Sequence, residues 1–159
     1  MLPSVAFENG EIVMVDQRKL PGQEVYVHCK TAPEVARAIK SMVIRGAPAI
    51  GVSAAMGIAL GMRRSKASGT RQFAVEFNKT CDLMAATRPT AVNLFWAIDR
   101  MKKAFAAGVQ AGQSVDELKD RLEKEARAIH DEDLETCRAM GRFGADVVPA
   151  GARILTHCN

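Results

Sequence analysis

Aromatic residues are scarce in this 159-residue chain: one Trp, one Tyr and six Phe, together 5%. So few rings give no stacking platform for single-stranded nucleic acid. Cysteines number four, at positions 29, 81, 137 and 158, with no tight spacing and no Cys-x-x-Cys pair. That pattern argues against a disulfide scaffold and excludes a zinc ribbon or a thioredoxin-type site. Long apolar runs are missing as well. The uncharged stretch from Ala47 to Met62 is rich in Ala and Gly. It is too short and too weakly apolar to span a membrane and reads as a buried core helix. Met1 to Val15 has no basic start and contains Glu8 and Glu11, so it is not read as a signal peptide. The expected location is the cytoplasm, where thiols stay reduced.

What is present suits a folded domain: 48% hydrophobic and 25% charged residues, with 22 Lys+Arg against 18 Asp+Glu. The charge is uneven. Residues 1–80 carry 11 basic and 6 acidic side chains, residues 81–159 carry 11 and 12. The excess includes Arg63, Arg64, Lys66 and Arg71, read as a solvated loop between helices. No helix-turn-helix or zinc-finger pattern accompanies it, and neither a nucleic-acid nor a membrane partner is expected.

Turn chemistry and periodicity divide the chain. Ser4 to Phe7 and Ile12 to Val15 flank Asn9-Gly10, the pair a tight hairpin turn favours. Pro21-Gly22 marks a further turn, and Val25 to Cys29 alternates as a third strand. Thr31 is a predicted N-cap with Pro33 and Glu34 behind it, opening a helix to about Val43. Gly46 breaks it, and Pro48 opens a helix to about Met62, in which Gly51, Ala55, Gly57 and Gly61 permit close helix contact. Thr70 is placed as the cap of a third helix through about Ala86. Arg88-Pro89 ends that helix and Thr90 caps a fourth, with Val92, Phe95, Trp96 and Met101 facing inward. Ser114-Val115-Asp116-Glu117 forms a capping box. It begins a fifth helix whose stripe is Leu118, Leu122, Ala126, Ile129, Leu134 and Cys137/Arg138, fading near Gly141–Gly144. Pro149-Ala150-Gly151 is a turn, and Arg153 to Cys158 reads as a buried strand. Residues 1–29 are thus a β-meander and 30–150 a helical bundle, together one domain, mainly α with a small N-terminal antiparallel β-meander. Residues 151–159 are the first strand of a further domain.

Two junctions share a design. In Arg45-Gly46-Ala47-Pro48 and in Arg88-Pro89-Thr90, an arginine stands just before a helix start. Free N–H groups and the positive dipole end attract anions, arginine adds bidentate hydrogen bonds to phosphate, and Gly46 lets the backbone approach a ligand. The pair reads as a phosphate clamp. It is not a P-loop, because the Lys-Ser/Thr ending is absent.

Cys158 falls at the carboxyl end of a predicted strand, where ligands bind in open α/β sheets. His157 should not form a dyad with it, since strand neighbours point to opposite faces, and the same holds for His28 and Cys29. In His130-Asp131-Glu132-Asp133 only His130 and Asp133 share a helix face, so no metal site is assigned. Cys81 and Cys137 are expected in the core.

Three segments carry a family resemblance: Val43-Ile44-Arg45-Gly46-Ala47-Pro48-Ala49-Ile50-Gly51, Thr87-Arg88-Pro89-Thr90-Ala91-Val92-Asn93-Leu94 and Ile154-Leu155-Thr156-His157-Cys158-Asn159. They resemble the methylthioribose-1-phosphate isomerases, which are grouped with the regulatory subunits of initiation factor 2B and with ribose-1,5-bisphosphate isomerase. Asp16-Gln17 with Leu20-Pro21 fits the isomerase branch. The resemblance implies an aldose–ketose isomerisation of 5-methylthioribose 1-phosphate to 5-methylthioribulose 1-phosphate in methionine salvage, without metal or organic cofactor. It implies substrate binding by Arg45, Gly46, Ala47 and Arg88 and assistance to the chemistry by Cys158. The ring oxygen must be protonated and hydrogen moved from C2 to C1, by an enolate route or a hydride shift; general acid catalysis in a dry pocket serves either. Family members are about twice as long. Their Rossmann-like C-terminal domain, with the catalytic aspartate, is missing here, so this chain is expected to be the N-terminal portion and inactive alone. A homodimer is implied for the full-length form. The alternatives are an isomerase of ribose 1,5-bisphosphate or 5-deoxyribose 1-phosphate, and a non-catalytic regulatory subunit.

Overall fold

The computed structural model describes residues 4–156. Among them are three strands and five helices: β1 (Val5–Glu8), β2 (Glu11–Val15), β3 (Tyr26–Cys29), α1 (Ala32–Lys40), α2 (Ala47–Arg63), α3 (Thr70–Ala85), α4 (Val92–Gln110) and α5 (Val115–Ala145). The fold is mainly helical with a small antiparallel sheet of order β1-β2-β3. The hairpin register pairs Val5 with Met14 and Glu8 with Glu11. Its turn forms as the sequence predicts, with φ of +50° at Asn9 and +75° at Gly10. Ile12 and Met14 of the central strand point inward and are fully buried.

The sheet lies against α2, and α2 also meets α1, α3, α4 and α5. Every residue from Ile50 to Leu60 is buried, the mark of a helix enclosed on all sides. Small residues make this possible. A Cβ on Gly51 would lie 2.7 Å from the Asn93 carbonyl oxygen of α4, and one on Gly57 would lie 2.8 Å from Val35 Cγ1 of α1. Between α3 and α4, Phe77 and Phe105 stack with centroids 4.3 Å apart.

Capping explains where several helices start. Thr31 and Ser114 each complete a capping box, with Glu34 and Glu117. At α3 the N-cap is Gly69 and not Thr70, and at α4 it is Ala91 and not Thr90. Helix α1 stops at Lys40, short of the expected Val43. The Met42 amide bonds the Ile39 carbonyl at 3.2 Å and the Val43 amide bonds the Ala38 carbonyl at 2.9 Å. This Schellman closure requires positive φ at residue 42, and Met42 adopts +61°. A side chain there costs about 1–2 kcal/mol relative to right-handed backbone.

Three inward assignments are corrected. In α4, Leu94, Ala97, Ile98 and Met101 face the core, whereas Val92 is 79% and Trp96 52% exposed, and Phe95 is also exposed. In α5 the buried stripe ends at Ile129; Leu134 and Cys137 are exposed, because α5 outruns the bundle it packs on. Residues 152–156 form no strand, and Ile154 and Leu155 are exposed; among the described residues no strand pairs with them. The Pro149–Gly151 turn is present, closed by the Ala152 amide on the Pro149 carbonyl at 3.1 Å. No helix among the described residues is long and apolar enough to cross a membrane.

Gly51→Ala tests the packing of α2. Alanine has the higher helix propensity by about 1 kcal/mol, yet the added methyl meets backbone that cannot swing aside. A net loss of about 1–3 kcal/mol is expected, lowering the melting temperature. An unchanged or raised melting temperature would show that α4 moves off freely.

Candidate anion-binding site

Both arginine–helix junctions open onto one depression at the N-terminal ends of α2 and α4. It is lined by Met42, Arg45, Gly46, Ala47, Ile50, Arg88, Thr90, Ala91, Val92 and Asn93. The structure thus brings together Arg45, Gly46, Ala47 and Arg88, four of the five residues singled out in the sequence. The fifth, Cys158, lies outside the described residues with His157 and Asn159.

Local physics sets this geometry. Gly46 is the N-cap of α2, with φ +96° and ψ +133°, a conformation essentially reserved for glycine. No side chain caps the first turn of α2 or of α4, so their leading N–H groups lack the side-chain partner that Thr31 and Ser114 supply elsewhere. Arg45 and Arg88 are both half-buried. Among the described residues neither has a carboxylate partner. Arg18, Arg63, Arg100, Arg127 and Arg138 do; several exposed arginines, Arg64 and Arg71 among them, do not. Two unneutralised guanidiniums beside two uncapped helix starts concentrate positive potential in one concavity, the arrangement that holds an anion.

A residue whose part the sequence did not disclose holds the loop in place. The Gln17 amide donates to the Val43 carbonyl at 2.9 Å, and its Nε2 donates to the Arg45 carbonyl at 3.2 Å. Gln17 therefore ties the end of β2 to the residue that carries the first guanidinium. Beside it, Asp16 is buried and takes Arg18 in a bidentate pair, Nε to Oδ1 at 2.8 Å and Nη2 to Oδ2 at 2.7 Å. No short-range signal marks a glutamine for this contact, because its partners lie on a distant loop.

The other candidates fall elsewhere. Burial pushes the Cys29 thiol up to about 11 and the Cys81 thiol up to about 12, so both stay protonated as core residues. His28 points away from Cys29 and faces Glu11, as expected of strand neighbours. His130 approaches Asp131 at 2.9 Å, and among the described residues no group of three or more His, Cys, Asp or Glu is placed to hold a metal ion.

The model of the initiation factor 2 subunit family matches residues 43–159. A methylthioribose-1-phosphate isomerase of Geobacter metallireducens is 49% identical over 98% of this chain and 44% of its own length. One of Koribacter versatilis is 50% identical over all of this chain and 44% of its own length. The crystal structure of 5-methylthioribose 1-phosphate isomerase from Pyrococcus horikoshii superposes with a TM-score of 0.88 at 42% identity, covering 93% of this chain and 41% of that one. The translation initiation factor eIF-2B delta subunit from A. fulgidus gives 0.89 at 38% identity, covering 100% and 45%. The chain therefore spans less than half the length of these relatives.

The Asp16–Arg18 corner makes a pH test possible. Hydrogen bonds from Arg18 hold the Asp16 carboxyl below its ordinary value of 3.8. A carboxyl depressed in the folded state adds stability that is complete above the unfolded value and is lost as pH falls through the folded one. Asp16→Asn should therefore melt below wild type at about pH 6, with the gap closing towards about pH 2. A gap independent of pH would mean that the charge on Asp16 contributes nothing.

Proposed function

The chain belongs to the initiation factor 2 subunit family, and on that premise we propose that it forms the phosphate-binding part of a sugar-phosphate aldose–ketose isomerase acting on 5-methylthioribose 1-phosphate in methionine salvage. The observation that carries the reading is the shared depression, where two arginine–helix junctions distant in sequence converge. Arg45 and Arg88 grip the phosphate oxygens, and the Gly46–Ala47 backbone donates to them from the start of α2. Fixing the phosphate fixes the sugar carbon that bears it, which positions C1 and C2 for hydrogen transfer. Cys158 assists that transfer as an acid, in this proposal from the segment 151–159 that begins a Rossmann-like second domain. The ketose product, a homodimeric full-length form and a cytoplasmic location belong to the same reading, and identities of 48–51% to isomerases of this name support it.

The likeness to the initiation factor delta subunit supports a second reading, a regulatory subunit without catalysis. The unpaired, half-buried arginines favour the first: a surface that only docks protein has no need of two uncapped helix starts converging with them.

Titration of the chain with ribose 1-phosphate separates the two. Wild type should bind, and Arg45→Ala or Arg88→Ala should bind about 10- to 100-fold more weakly, the loss of a charge-assisted contact of about 1.5–3 kcal/mol. Equal binding by all three would refute the clamp. In a catalytically active full-length form, Cys158→Ser should lower turnover by about 100-fold or more with little change in melting temperature. Turnover by residues 1–159 alone would refute the need for a second domain.

A further inference from the structure

We propose that Met42 covers the carbon skeleton of the substrate and so distinguishes a sugar phosphate from free phosphate, an assignment that rests on the sugar-phosphate reading above. Met42 lines the same depression as Arg45, Gly46 and Arg88. It is one of two non-glycine residues with positive φ among the described residues; the other, Asn9, is in the hairpin turn, where such a residue is usual. The Schellman closure of α1 fixes residue 42 in that conformation through the amides of Met42 and Val43. Glycine would satisfy the same two hydrogen bonds without strain.

The thioether side chain gains no compensating burial. Met42 is 41% exposed while its neighbours Val43 and Ile44 are buried, so the core does not explain it. Strained non-glycine backbone persists where the surroundings over-determine it, and such positions gather at ligand sites. The depression already supplies polar groups for the anionic end of a ligand. Its lining also includes Ile50, Val92 and Met42, and of these methionine is the unbranched, polarisable side chain that adapts to irregular apolar shapes. A sugar phosphate bound by its phosphate would present C–H groups to it; inorganic phosphate would present none.

The test uses the 159-residue chain labelled with 13C at the methionine methyls and titrated separately with inorganic phosphate and with ribose 1-phosphate. Backbone amide signals of Gly46 and Ala47 should move with both ligands, and the Met42 methyl should move with ribose 1-phosphate only. Met42→Gly should melt higher than wild type, bind inorganic phosphate as before, and bind ribose 1-phosphate about 3- to 10-fold more weakly; Met42→Leu should restore most of that affinity. If inorganic phosphate moves the amides but the Met42 methyl answers both ligands alike, or the two affinities keep their ratio in Met42→Gly, the Met42 assignment is overturned and the clamp stands. A lower melting temperature for Met42→Gly would overturn the strain argument. A chain that answers neither ligand overturns the clamp and this assignment together.

Discussion

The close approach of backbone to backbone along α2 is the constraint on which the rest of the molecule depends. A helix surrounded by a sheet and four helices can be enclosed only if some of its faces carry no side chain. Gly51 and Gly57 provide those faces towards α4 and α1. Glycine inside a helix is unfavourable by roughly 1 kcal/mol relative to alanine, so α2 cannot stand on propensity. Its stability comes from burial of Ile50, Val52, Met56, Ile58 and Leu60 in partners that arrive from both ends of the chain. The depression inherits this dependence. Its arginine-bearing loops are simply the chain entering α2 and α4, and the contact at Gly51 sets how far apart those two entrances lie.

How much was legible in the sequence follows from the range of each signal. The hairpin at Asn9-Gly10, the N-cap at Thr31 and the capping box at Ser114 are encoded within four residues, and each formed where expected. The arginine junctions were legible for the same reason, since a helix start is a local event. Signals that depend on a distant partner were not. The outward face of α4 carries Val92, Phe95 and Trp96, so apolar character alone could not tell which face meets α2. The stripe of α5 continues past Ile129 although the bundle beneath it has ended. Met42 hides a helix stop that glycine would have announced, and the hold of Gln17 on Arg45 is visible only once β2 and the α1–α2 loop are side by side.

Charge is deployed in two different ways across the fold. Along α5 the acidic residues are matched by arginines from other elements: Arg63 of α2 meets Asp120 and Glu123, and Arg100 of α4 meets Glu125 and Glu132. Arg127 of α5 pairs with Glu123 and lies over the Phe7 ring at 4.8 Å. Partly solvated pairs of this kind contribute little individually, but each is specific for one rotation and one height of α5 against its neighbours. Arg45 and Arg88, both half-buried, take no part in this matching. Neutralising them internally would have cost the depression its potential.

The uneven burial of α5 has a dynamic consequence. From Leu118 to Ile129 its inner face is locked into the core, whereas no residue from His130 to Ala145 is buried. The backbone hydrogen bonds of the outer turns can therefore break without disturbing a single core side chain, while those of the inner turns open only when the bundle does. Amide protection along this one helix should fall in a step beyond Glu132, which Arg100 of α4 still holds, making α5 two cooperative units joined by an unbroken backbone.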